Sequence, residues 1–170
     1  MPFPLNGFDA IHASPPCQGY SVMRHLPWLR NREYPLLIGP VRERLAPTGI
    51  PYVIENVTGA PLIDPITLCG LSFGLRVYRH RSFESGVPLT APPHQKHVIP
   101  ATGNPGRDRK RRVVEEGWFV TITGDVGSYC GPLMGIDWMI GDELSQAVPP
   151  AYTRLVGSQI LAWLGGGVLP

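Results

Sequence analysis

The sequence predicts an α/β fold with a parallel sheet, and three features carry that expectation. The apolar run Phe8 to Ala13 (FDAIHA) stops abruptly at Ser14-Pro15-Pro16, as a buried strand ending in a loop does. Tyr34 to Leu45 (YPLLIGPVRERL) has the pattern of a helix, with Pro40 tolerable in its first turn. Thr48-Gly49 breaks that helix, and Pro51 to Ile54 (PYVI) follows as a second buried strand. Strand, helix, strand in this order is a βαβ unit, whose strands run parallel.

Later elements are less regular. Leu68 to Leu75 is apolar, Arg76 to Arg81 is arginine-rich, and Ser82 to Ser85 reads as a strand. Gly86 to Arg112 is rich in Pro, Gly, His and cations with almost no periodicity, and its 27 residues exceed a plain connection. Trp118 to Thr123 (WFVTIT) is a strong strand signal, and Gly124 to Gly135 is again glycine-rich. Trp138 to Leu144 reads as a short helix, and Pro149 opens a final one over Ala151 to Leu164. The expected divisions are a core segment 1–85, an insertion 86–117 and a returning core segment 118–170.

Composition narrows the function classes. Gly and Pro together make 40 of the 170 residues and charged residues only 16%, so the chain is loop-rich. A hydrophobic content of 43% is too high for a disordered chain. No apolar run approaches the ~20 residues that span a bilayer. The start MPFPLNGFDA carries no signal-peptide pattern, so a cytoplasmic protein is expected. Cys17, Cys69 and Cys130 are odd in number and form no CxxC pair, against both a disulfide framework and a zinc knuckle. The net charge of +2 does not declare a nucleic-acid partner, so that argument rests on local clustering.

Four constellations have residue types that carry chemistry. Ser14-Pro15-Pro16-Cys17-Gln18-Gly19-Tyr20-Ser21 lies where a parallel strand delivers its carboxyl end, the place where open α/β sheets bind ligands. Two prolines hold the Cys17 thiol, as a nucleophile requires, although a small buried hydrophobe is the common fate of a free cysteine. Glu55-Asn56-Val57 follows the second strand, where Glu55 is either a general acid or a cap. Arg79 and Arg81 flank His80 on alternate positions of an extended segment, fit to hold an anion or simply a solvated edge. Arg107-Asp108-Arg109-Lys110-Arg111-Arg112 places five cations in six residues of the insertion, suited to DNA phosphates or to a solvated loop. His94 and His97 have a spacing open to a metal, but no third ligand accompanies them in the sequence, and no metal is expected.

In this order the constellations resemble the DNA cytosine-5 methyltransferases. PPCQGYS at 15–21 is similar to the family's P-C-Q loop, and ENV at 55–57 to its E-N-V motif. Val77-Tyr78-Arg79-His80-Arg81 is similar to Q-x-R-x-R with Val77 in place of Gln. Gln146-Ala147-Val148-Pro149-Pro150 is similar to the end of G-N-A-V-P-P, with Ser145-Gln146 in place of Gly-Asn. The resemblance spans residues 8 to about 160, with only the general layout matching between 86 and 140.

The resemblance implies an incomplete Rossmann-like methyltransferase sheet with a shortened target-recognition insertion. Cys17 would attack C6 of a flipped cytosine, Glu55 would hold the exocyclic amine and protonate N3, and Arg79 and Arg81 would support base and thiol. Pro16, Gln18, Ser21, Asn56 and Val57 would line the base pocket, and Arg107, Arg109, Lys110, Arg111 and Arg112 would meet double-stranded DNA. S-adenosylmethionine is the implied methyl donor, touched by Ser14, Pro15, Ala147 and Val148.

One departure matters. The family's donor-binding glycine turn, of the F-x-G-x-G kind, precedes the P-C-Q strand, and only seven residues precede Phe8. The expectation is a donor half supplied by an upstream segment or a second chain, with weak donor binding and an uncovered apolar sheet edge in this chain alone. A non-catalytic DNA-binding remnant, or a cysteine hydrolase using His12, are the alternative readings.

Overall fold

A computed structural model of the protein describes residues 4–27, 29, 31–102, 108–122 and 127–166. Its architecture is mixed α/β, with one four-stranded sheet and one two-stranded parallel sheet. Two compact units divide the chain, the first comprising Met1–Thr67, Arg81–Thr90 and Gly157–Pro170, the second Leu68–His80 and Ala91–Val156.

The first unit begins with the expected βαβ order. Strand β1 (Ile11–Ala13) is shorter than the apolar run, and helix α1 (Ile38–Leu45) starts later than its pattern. Pro40 sits in the first turn of α1, where its missing N–H has no helical partner to lose. Ile38 and Leu45, two turns apart on one face, are both buried. A 3-10 turn at Ala46–Thr48 follows, and Gly49, at φ 69°, takes the left-handed conformation that ends it. Strand β2 (Tyr52–Asn56) pairs parallel to β1, with Ile11 opposite Tyr52 and Ala13 opposite Ile54. It extends two residues beyond the predicted end, so Glu55 and Asn56 belong to the strand rather than to a loop after it.

The sheet is not parallel throughout, which corrects the expected all-parallel arrangement. After β2 the chain passes through β3 (Ile66–Leu68) and a 3-10 turn, then returns as β4 (Arg81–Ser85) antiparallel to β2. A parallel neighbour needs a long crossover, usually helical, and no such helix lies between β2 and β4. The strand order is β1-β2-β4-β3, which leaves β1 at an edge. Val53, Ile54 and Phe83 are buried in this sheet, each worth about 1.5–3 kcal/mol of burial. Glu84 is also buried, and Arg42 from α1 meets it with two hydrogen bonds of 2.6 and 2.7 Å.

In the second unit the insertion is not structureless. Strand β5 (Ala101–Thr102) pairs parallel to β6 (Phe119–Val120), a shorter strand than Trp118 to Thr123 predicts, with Thr123 outside the described residues. Helix α2 (Asp108–Val114) occupies most of the basic run read as irregular. Arg and Lys are good helix formers, and Arg111 and Arg112 in the last turn suit the helix dipole. A further helix, α3 (Cys130–Met134), lies within the glycine-rich segment where none was expected, and α4 (Gly141–Gln146) is shifted from the predicted Trp138 to Leu144. Val77, Val113, Val120, Ile122, Cys130, Met134, Ile136 and Leu144 form the unit's apolar core. Helix α5 (Pro150–Leu164) begins one residue earlier than predicted, and the unit boundary falls within it. Among the described residues no helix is long and apolar enough to cross a membrane.

Candidate active site

In the first unit, register brings the two main motifs together. Because β1 and β2 are parallel and aligned, Ser14 to Cys17 and Glu55-Asn56 emerge at the same carboxyl end. The Asn56 Nδ2 donates to the Pro15 carbonyl at 2.9 Å in a buried hydrogen bond, joining segments 41 residues apart. The Asn56 Oδ1 accepts from the Val57 N–H at 3.0 Å, so both ends of that amide are used. Pro15 is buried, Cys17 and Ser21 are half-buried, and Ser14, Pro16 and Gln18 are exposed.

The turn after Cys17 is strongly held. The Cys17 carbonyl accepts from the Tyr20 and Ser21 N–H groups at 3.0 and 2.9 Å. Gly19 is buried, and a side chain there would come within 2.7 Å of Leu36 and 3.3 Å of Tyr34, so only glycine fits without displacement. The Tyr20 hydroxyl accepts from the first N–H of α1, at Ile38, at 3.0 Å. Ser21 caps the following 3-10 turn, Val22–His25, by accepting from the Met23 N–H. A cleft of about 280 Å³ opens here, lined by Gly19, Arg24, His25, Arg32, Tyr34 and Leu36. The sequence shows this stretch only as basic and aromatic without period, and three of its cationic or imidazole groups prove to share one wall with the Cys17 turn.

Glu55 is buried, at 5% exposure, and pairs across the strands with Phe83. Arg81, two residues before Phe83 on the same sheet face, sets its Nε 2.9 Å from Glu55 Oε1. The alignment there is that of an ion pair without a directed hydrogen bond, and Oε1 has no hydrogen-bond donor among the described residues. Buried polar atoms of that kind are rare and call for an explanation. His12 is exposed on β1, and among the described residues it makes no hydrogen bond to Cys17.

Strand β4 begins at Arg81, and Arg79 belongs to the second unit, where its guanidinium donates to the Ser145 carbonyl at 2.8 Å and to the Ile122 carbonyl at 3.4 Å. Tyr152 donates its hydroxyl to the Arg79 carbonyl. Ala147 and Val148 are half-buried in the second unit, just after α4, while Ser14 and Pro15 stand in the first.

The basic run is partly neutralised. Arg111 pairs with Glu116 at 2.7 Å, and the Arg112 guanidinium lies 5.0 Å over the Trp118 ring. Lys110 is exposed on α2, whereas Arg107 and the side chain of Arg109 lie outside the described residues.

Sequence reasoning gave His94 and His97 no further ligand, yet the second unit brings Cys69 and His80 to them. The Cys69 Sγ and one nitrogen from each of the three imidazoles lie within 4.8 Å of one another. His80 Nε2 is 3.0 Å from His94 Nε2, and Cys69 Sγ is 3.3 Å from His97 Nε2. Tyr78 stacks on His97 with ring centroids 3.8 Å apart, and its hydroxyl donates to the Ile99 carbonyl. Burial, then the neighbouring His97 and His94, hold the His80 imidazole below its ordinary pKa. His97 is lowered by burial and by His94, and burial pushes the Cys69 thiol up. The only local signal was a cysteine and three of the chain's five histidines falling between 69 and 97.

Comparison of the chain with protein-family models, curated proteins and solved structures finds no match.

Proposed function

We propose that the chain is the catalytic part of a DNA cytosine-5 methyltransferase, with the sheet of its first unit belonging to an incomplete Rossmann-like methyltransferase fold. The observation that carries this reading is the buried Asn56 to Pro15 hydrogen bond, which holds the P-P-C-Q turn against the E-N-V strand end. A thiol and a buried carboxylate are thereby delivered at one end of two parallel strands. The buried Glu55 carboxylate fits the exocyclic amine of a cytosine, and Arg81, 2.9 Å from its Oε1, fixes the direction in which it faces.

The chemistry follows from those groups. The Cys17 thiolate adds to C6 while Glu55 delivers a proton toward N3, which makes C5 nucleophilic. C5 takes the methyl group from the donor sulfonium, which leaves as a neutral thioether; loss of the C5 proton to water, return of the N3 proton to the Glu55 carboxylate and expulsion of the thiolate then restore the ring. The base must leave the stack, because its C6 and C5 faces are otherwise covered. In the first unit, the cationic cleft lined by Arg24, His25 and Arg32 supplies phosphate contacts.

The residues assigned to S-adenosylmethionine fit it only in part. Ser14 offers one hydroxyl, while Pro15, Ala147 and Val148 offer only backbone and apolar surface, with no carboxylate for a ribose. The donor site therefore needs another segment or a second chain. The edge position of β1 supports this, since an edge strand presents unpaired backbone groups for a further strand.

The test is covalent trapping on duplex DNA containing 5-fluorocytosine, with S-adenosylmethionine present, using this chain and a version extended to any upstream in-frame start. Fluorine at C5 blocks the elimination, so a denaturant-resistant adduct is expected, and Cys17→Ser should form none. An adduct that survives that substitution, or labelled methyl transfer that persists without Cys17, overturns the assignment. DNA binding with no adduct in either version identifies a non-catalytic remnant.

A further inference from the structure

We propose that Cys69, His80, His94 and His97 form a closed tetrahedral site for a zinc-class divalent cation, which clips the irregular segment 91–100 to the 69–80 segment of the second unit. The site stands on its geometry, independent of the methyltransferase reading. A tetrahedral site with Zn–N about 2.0–2.1 Å and Zn–S about 2.3 Å has N···N edges of about 3.3 Å and S···N edges of about 3.6 Å. The observed edges of 3.0 Å between His80 and His94 and 3.3 Å between Cys69 and His97 lie a few tenths of an ångström inside those values. All four ligand atoms fall within 4.8 Å of one another, so closure asks for small side-chain adjustments and no backbone rearrangement.

The donor set selects the ion. One thiolate and three imidazoles are borderline-soft ligands, which favours zinc and related late first-row ions over magnesium or calcium. Four protein ligands leave no open position, the mark of a structural rather than a catalytic site. Binding requires the Cys69 thiolate, so its proton is released to solvent as the metal enters.

The surroundings need such a clip. Residues 91–100 contain no helix or strand, and they carry two of the four ligands. The Ser72 hydroxyl donates to the Pro93 carbonyl at 3.2 Å, and Tyr78 both stacks on His97 and binds the Ile99 carbonyl. These contacts orient the ligands from outside, as outer partners do around bound metals.

The experiment uses the full chain without a histidine tag, purified without chelator. Elemental analysis should find about one zinc per chain, and replacement by cobalt should give intense visible absorption with a thiolate-to-cobalt charge-transfer band. Cys69→Ser should abolish that band, whereas Cys17→Ser and Cys130→Ser should keep it. His94→Ala, at an exposed position, should weaken zinc in competition with a chromophoric chelator by at least the ~10–100-fold that loss of an outer partner costs. Circular dichroism confirms that each variant is folded. A folded wild-type chain without stoichiometric metal, or wild-type affinity in both folded Cys69→Ser and His94→Ala, overturns the proposal.

Discussion

In the first unit the polar groups of interest stand on paired strands, whereas in the second they stand on segments with almost no regular structure. Glu55 on β2 and Arg81 on β4 are brought together by register alone, as neighbours on one sheet face. Glu84, placed opposite Ile54 by the same register, meets Arg42 from α1. Cys69, His80, His94 and His97 share no strand or helix. A strand-borne pair is built by the backbone and survives without a ligand. A loop-borne cluster of thiol and imidazole donors gains its definition from whatever it binds. Four predictions test how far that contrast reaches.

The largest effect is expected at Glu55. Glu55→Gln keeps the shape and the neighbourhood of Arg81 but cannot release a proton, so under the proposed function methyl transfer should fall ~10²-fold or more while DNA affinity changes little. Unchanged turnover would reduce Glu55 to a framework residue like Glu84.

Arg42→Ala should follow. It strips a carboxylate that is 2% exposed of its two-pronged partner and leaves it, among the described residues, only the Ile63 N–H, at 2.8 Å. Breaking a buried pair from one side costs about 3–5 kcal/mol, and because Arg42 itself retains some solvent the low end is expected. Urea unfolding monitored by circular dichroism measures it. A loss below about 1 kcal/mol would place this pair with ordinary surface bridges.

A pH dependence comes from the same carboxylate. Burial pushes Glu84 up, but the hydrogen bonds from Arg42 and the Ile63 N–H and the guanidinium charge outweigh it, and the group titrates below its ordinary value of 4.5. A lowered folded pKa means that the unfolded chain binds the proton first. The stabilisation is therefore full above about 4.5 and is lost as pH falls through the lower, folded value. Unfolding free energy should decline across that acidic window, and Arg42→Ala should flatten the decline. An identical acid slope in both proteins would assign it to other carboxylates.

The smallest effect is expected in the second unit, at Glu116→Gln. Arg111 and Glu116 are 53% and 36% exposed, so the pair is screened and its loss should cost no more than about 0.5 kcal/mol. A larger cost would show that ion pairs matter equally in both units. Salt titration of DNA binding adds a second reading, because removing the Glu116 charge beside Arg111 should steepen the salt dependence if α2 meets phosphate.

What the sequence determined is what short range can encode. The first βαβ order was legible because an apolar run stopped by two prolines, a proline-tolerant helical pattern and a glycine break are each decided within a few residues. The strand-end placement of Cys17 was legible for the same reason, and Glu55 was misplaced only by the two residues that β2 extends. Tertiary structure decided the rest. The direction of β4 depends on the path between strands and not on its own residues, which alternate the same way whether parallel or antiparallel. Helix α2 was hidden by a composition that reads as a loop, although its cations are helix formers. The Cys69, His80, His94 and His97 group has no period and no motif spacing, and it exists only because the second unit folds its two irregular segments against each other. Contacts between segments far apart in sequence leave no local trace, since the entropy of closing those loops is met by the whole core and not by the residues that finally touch.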